Sequence, residues 1–115
     1  MKKIILFSLS MIFLGSITFA ADLNLKALWT ANTDNPSVYK LYRTDGTRLL
    51  IGSVNHPTTT LPFIITVANG TEGTLTFVLT AVDASGNESA DSVVASYPFD
   101  LKPPAVPTGF GVTKQ

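Results

Sequence analysis

An enzyme needs a nucleophile, a base or a metal brought to one point, and this sequence offers few side chains for the task. Its 115 residues include no cysteine and a single histidine. That histidine, His56, stands immediately before Pro57 in the polar stretch 55–60, with no carboxylate at ligand spacing. It reads as a loop residue rather than a metal ligand. Beyond residue 20 the carboxylates are scattered as Asp22, Asp34, Asp45, Glu72, Asp83, Glu88, Asp91 and Asp100, none paired at a spacing suited to acid–base work. Asp83, Asn87 and Glu88 lack the repeated oxygen ligands of a calcium loop and read as a plain turn. The inventory points away from catalysis and implies no metal and no cofactor.

Surface recognition is the chemistry that remains. The sequons Asn69-Gly70-Thr71 and Asn87-Glu88-Ser89 fall in expected turns, and matter only in a eukaryotic secretory pathway. Arg43-Thr44-Asp45-Gly46 is a strand end plus a turn, not an integrin sequence. Polysaccharide sites need several exposed rings on one face. Tyr42 is the one aromatic that the pattern places outward, which makes it a candidate surface contact; Phe63 and Phe77 read as core, and Tyr97, Phe99 and Phe110 have no assigned facing. Beyond residue 20, six basic side chains stand against eight acidic ones, a net charge of −2. So small and scattered a charge argues against nucleic acid or an anionic membrane as partner.

The elements that must carry these residues are strands. In 75–82, Leu75, Phe77, Leu79 and Ala81 alternate with Thr76, Val78, Thr80 and Val82, the period of a strand with one face in a core. Asp83, Ser85, Gly86 and Asn87 then turn the chain. Further strands are expected over 23–30 with Trp29 facing the core, 38–43 with Tyr39 and Leu41 inward and Lys40 and Tyr42 outward, 48–54, 61–67 and 91–97. Thr44-Asp45-Gly46-Thr47 is an expected hairpin turn of the Asp-Gly type, and 98–107 has the composition of a linker. Ahead of the strands, Lys2 and Lys3 precede an apolar run and then the small residues Thr18, Ala20 and Ala21. That is the layout of a secretory signal peptide over 1–20, with an uncleaved anchor as the alternative. No cysteine follows it, which argues against a lipid anchor. The expected address is secreted, periplasmic or cell-surface, with no membrane attachment once the signal is removed. Without disulfides, stability must come from apolar packing.

The run ending Ala81-Val82-Asp83 and leading into Gly86-Asn87-Glu88-Ser89 resembles the penultimate strand and loop of a fibronectin type III domain. Val38-Tyr39-Lys40-Leu41-Tyr42-Arg43 is similar to that family's third strand, and Trp29 to the core tryptophan of its second. The resemblance implies an all-β fold, an immunoglobulin-like sandwich of about seven strands, over residues 21–101. Two positions depart from it: Leu75 stands where a tyrosine is usual, and Ala27 where a larger aliphatic residue is usual.

The larger departure is at the ends. The stretch after the signal begins almost directly on the second strand of the family, whereas the tail 102–115 contains Pro103-Pro104-Ala105-Val106-Pro107-Thr108-Gly109-Phe110-Gly111-Val112, similar to the linker and first strand that open a following domain. The piece absent at the front is present at the back, and the expected function is a structural or adhesive module whose candidate strand-donation segment is Pro107, Thr108, Gly109, Phe110, Gly111 and Val112. Its expected partner is a second copy, head to tail, or another extracellular protein. Competing readings of the tail are disorder, a remnant of a lost domain, or a looser sandwich in which 22–27 serves as the first strand. The alternative function is a monomeric carbohydrate-binding accessory module.

Overall fold

The computed structural model describes residues 19–115. Of the expected signal peptide, only Phe19 and Ala20 fall among them; the rest lies outside the described residues. Among the described residues there are six strands and no helix, so none is long and apolar enough to cross a membrane. The strands are β1 (Ala20–Leu28), β2 (Val38–Arg43), β3 (Leu49–Asn55), β4 (Thr60–Ala68), β5 (Glu72–Val82) and β6 (Ala95–Asp100). All pairings are antiparallel, in two sheets: β1-β4, and β3-β2-β5-β6. The fold is an all-β sandwich.

Alternation along the strands builds its core. On β1, Leu23, Leu25 and Ala27 turn inward while Asp22, Asn24, Lys26 and Leu28 face solvent. Leu41, Leu75 and Phe77 of the larger sheet meet Ile65 of the smaller one in the buried centre, and Phe63 stacks edge-on against Phe77 at 5.2 Å between ring centres. Both Tyr39 and Leu41 are buried as expected, and Trp29, just past the end of β1, packs edge-on against Tyr39 at 5.3 Å. The alternation in β5 is less clean than its sequence. Val78 and Thr80, on the outer face, are buried as well, because Tyr42 lies opposite Val78 and Glu88 closes over Thr80.

Two expectations are corrected. The Asp-Gly hairpin is a five-residue connection, 44–48, and Gly46 has no positive φ. The cause is Asp45, whose carboxylate accepts from the Thr76 amide and from the Arg43 guanidinium, which pulls the loop toward β5 instead of closing it tightly. The last strand runs Ala95–Asp100 rather than 91–97, so Pro98 belongs to the sheet and the linker starts only after Leu101. Ahead of that strand two serines interrupt the ladder: the Leu79 amide donates to Ser92 Oγ and the Ala81 amide to Ser89 Oγ. A side-chain oxygen has taken the place of a backbone carbonyl twice, and regular pairing is postponed until Ala95.

Candidate functional site

The sandwich is closed at one side and open at the other. At the closed side β3 approaches β4; at the opposite side β1 and β6 do not meet. Between them runs a groove of about 660 Å³. Its floor and walls are mostly apolar and include Leu25, Ala27, Trp29, Phe77, Val93 and Tyr97.

Hydrogen-bond parity decides which backbone groups face this groove. The Trp29 amide donates to the Thr59 carbonyl at 3.1 Å, and the Asn69 amide to the Phe19 carbonyl at 2.8 Å. Both bonds fit the β1-β4 register, in which Ala20 faces Ala68 and Leu28 faces Thr60. Odd-numbered residues of β1 therefore spend their backbone groups on β4. Asp22, Asn24, Lys26 and Leu28 turn theirs to the open edge, since paired residues in an antiparallel ladder alternate between bonded and non-bonded positions.

An exposed edge invites another strand, and folds commonly defend against this with proline or a bulge. Three edges here are so defended. Pro62 faces Lys26 at a non-bonded position, so its missing N–H lies on the outer side of β4. On β6 the Leu101 amide donates to the Thr71 carbonyl, which puts the odd residues toward β5 and the nitrogen of Pro98 outward. A register shift, with Ile51 as the extra residue, breaks β3. Among the described residues, β1 is the one edge strand that presents nine residues without a proline or a bulge.

The tail bears the complementary pattern. Residues 102–115 form no strand and are exposed throughout. Val106, Phe110 and Val112 are 82%, 87% and 86% accessible to solvent, large apolar side chains spaced for one face of a strand. Topology keeps this tail from its own groove. β6 ends where Asp100 faces Glu72, beside the turn that also receives the start of β1. A first strand antiparallel to β1 must instead begin at the Leu28 end, about 30 Å away at roughly 3.3 Å per residue. Five linker residues, 102–106, span only about 17 Å when fully extended.

Tyr42, the other sequence-derived candidate, is held in a polar cluster. Its hydroxyl donates to Glu88 Oε2 at 2.6 Å, the Thr80 hydroxyl donates to the same oxygen at 2.6 Å, and Arg48 lies over its ring at 4.1 Å while pairing with Asp91 at 2.9 Å. The hydroxyls of Thr80 and Tyr42 hold the Glu88 carboxyl below the usual carboxylate range, and Glu88 in turn pushes the Tyr42 phenol up. With one face under a guanidinium and its hydroxyl engaged, Tyr42 offers little ring for a sugar to stack on. Asp83, Asn87 and Glu88 do not converge: Asp83 accepts from the Ser85 and Asn87 amides of its own turn, and Glu88 points to Thr80.

His56 has a partner that its sequence context did not reveal. Its Nδ1 lies 2.9 Å from the Tyr39 hydroxyl, which also accepts from the Asn32 amide at 2.8 Å. A buried tyrosine requires such a partner, and that requirement was the available signal once Tyr39 faced inward. Among the described residues no cluster of His, Cys, Asp or Glu could hold a metal ion. Comparison with known proteins finds no matching family model, no matching curated protein and no matching solved structure.

Proposed function

We propose that the chain is an exported, non-enzymatic structural or adhesive module of the fibronectin type III kind, which assembles head to tail by donating residues 107–112 to the open edge of β1 in a neighbouring copy. The observation that carries this reading is the unbroken β1 edge, free of the proline or bulge that the other edges carry, above an apolar groove. The strand order fits a fibronectin type III sandwich whose first strand is supplied from elsewhere. The tail holds a segment similar to that first strand and leaves its own domain at the pole where a neighbour's groove can begin. Strand addition satisfies free edge groups with main-chain bonds while side chains fill the pockets. The contact joins two different surfaces, so it repeats into a filament or closes into a ring.

The test compares residues 21–115 with the same chain ended at Leu101, by light scattering on size-exclusion peaks and by electron microscopy. Residues 102–115 are exposed, and Lys102 alone ties them to the domain, through an ion pair with Glu72 and a hydrogen bond from its amide to the Asp100 carboxylate at the surface, so shortening leaves the core intact. Oligomers of the longer chain beside monomers of the shorter one are expected. Well-folded monomers of both overturn the proposal.

A further inference from the structure

We infer the register of the donated strand: it lies antiparallel to β1 of the acceptor, with Phe110 opposite Ala27 and Val112 opposite Leu25. This rests on the head-to-tail reading above and specifies its contact residue by residue.

Parity narrows the choice first. The free backbone groups of β1 belong to residues whose side chains face solvent, among them Asn24, Lys26 and Leu28. In an antiparallel ladder, directly opposed residues share a face, so the tail residues bonded to them must also point outward. With Phe110 and Val112 turned into the groove, those residues are Gly109, Gly111 and Thr113. Glycines at the outward positions leave room for the Lys26 and Leu28 side chains beside them. Gly109 has φ 73° in the free tail and, lacking a Cβ, reaches the extended region at no steric cost.

Proline then chooses among the remaining registers, which differ by two residues. Sliding the tail so that Phe110 faces Leu25 puts Pro107 opposite Leu28 in a bonded pair, where its missing N–H leaves the Leu28 carbonyl without a donor. Sliding it the other way sets Phe110 against the Trp29 indole and carries Gly109 past the end of β1, which loses a bonded pair. The middle register avoids both. It sets Gly109 opposite Leu28 and Gly111 opposite Lys26, and leaves Pro107 beyond the strand.

Volume and polarity agree with that choice. Ala27 is the smallest inward side chain in the groove half of β1, and it faces Phe110, the largest in the tail. Trp29 lines the same end of the groove, and its buried Nε1–H has no acceptor among the described residues. This register brings the inward Thr108 opposite Trp29, with a hydroxyl able to accept from it.

The chain has no cysteine of its own, so disulfides read the register directly. Two full-length double variants are compared under mild oxidation on non-reducing gels: Lys26→Cys with Gly111→Cys, and Asn24→Cys with Gly111→Cys. Directly opposed residues lie within disulfide range, whereas a diagonal pair, roughly 7–8 Å apart, lies outside it. The first variant is expected to form a ladder at multiples of the protomer mass, at least tenfold more abundant than in the second. A ladder from the second variant alone overturns the register and leaves assembly standing, as does assembly without a ladder from either. Disulfides confined within single chains mean that the tail has returned to its own β1, and overturn both. Monomers without cross-links overturn the assembly itself.

Discussion

Replacing Phe110 with alanine separates a groove-filling strand from a tail that merely trails. In the free chain this ring is 87% accessible, so nearly all of its burial is gained on docking. Burying a phenylalanine side chain contributes roughly 1.5–3 kcal/mol, and truncation in a packed site adds a cavity cost that brings Phe→Ala to about 3–5 kcal/mol. The groove is open at one side and collapses more easily than a core, so we take the lower end, about 3 kcal/mol. At about 1.4 kcal/mol per tenfold change, the variant binds on the order of 100-fold more weakly. The assay is fluorescence anisotropy of a labelled peptide spanning 102–115, titrated with the chain ended at Leu101. Gly111→Ala provides the control, since its side chain points outward in the inferred register and its Cβ meets nothing in the free tail; it shifts affinity by less than about threefold, within the few tenths of a kcal/mol usual for surface changes. An F110A affinity within threefold of the parent peptide refutes the reasoning. So does a G111A peptide as weak as F110A, which means that the opposite face enters the groove.

Ala27→Leu moves two readouts in opposite directions: it fills part of the groove, which stabilises the shortened chain by about 1 kcal/mol of burial and raises its urea midpoint, and it weakens peptide binding at least tenfold; a change of the same sign in both is contrary to the inference. Tyr39→Phe strips the Asn32 amide of its acceptor and lowers stability by about 1–3 kcal/mol in urea titration, with unchanged strand content by circular dichroism. Arg43 holds the Asp45 carboxyl below the usual aspartate range, and the Asn87 side chain and amide do the same for Asp83. Their stabilising contribution is therefore complete above the ordinary aspartate value, near about 4, and is lost as pH falls through the lower folded-state values. Asp45→Asn and Asp83→Asn accordingly flatten the acid limb of a stability-versus-pH curve while leaving its neutral plateau parallel to the parent. Docking of the tail peptide shifts the emission of Trp29, the single tryptophan of the chain, and Phe110→Ala reduces that shift at equal peptide concentration.

Much of the sandwich was legible wherever one face is apolar and the other polar. The boundaries of β2 and the inward set of β1 follow from the sequence pattern, and β4 extends one residue beyond the expected 61–67 at each end, because a half-buried strand writes its period into the sequence. The misplaced elements are those fixed by bonds between distant positions. Nothing local announces that Asp45 will bind the Thr76 amide, 31 residues away, so the turn looked tighter than it is. Ser92 resembles a strand residue until β5 is in place to offer its amide, and Pro98 suggests a linker because proline suits a strand only where its nitrogen faces outward. The small Ala27, among the larger inward residues of β1, is the one trace of the groove in the sequence. Its unbroken edge became visible only when the parity of the β1-β4 ladder and the outward nitrogens of Pro62 and Pro98 could be compared. His56 read as an isolated loop residue because its partner lies 17 positions away, on the inner face of β2.

That β1 starts at the pole where β6 ends has a mechanical meaning. In a head-to-tail chain of protomers, a pull on the two ends enters each joint along the donated strand and leaves through β6 at the far pole. Antiparallel ladder bonds lie perpendicular to the strands, so the load falls on all of them in shear at once instead of peeling them one by one. Such a joint resists tension far better than its few bonds would when unzipped from an end, and a fibre built this way yields first by sliding in two-residue steps, the repeat of the ladder itself.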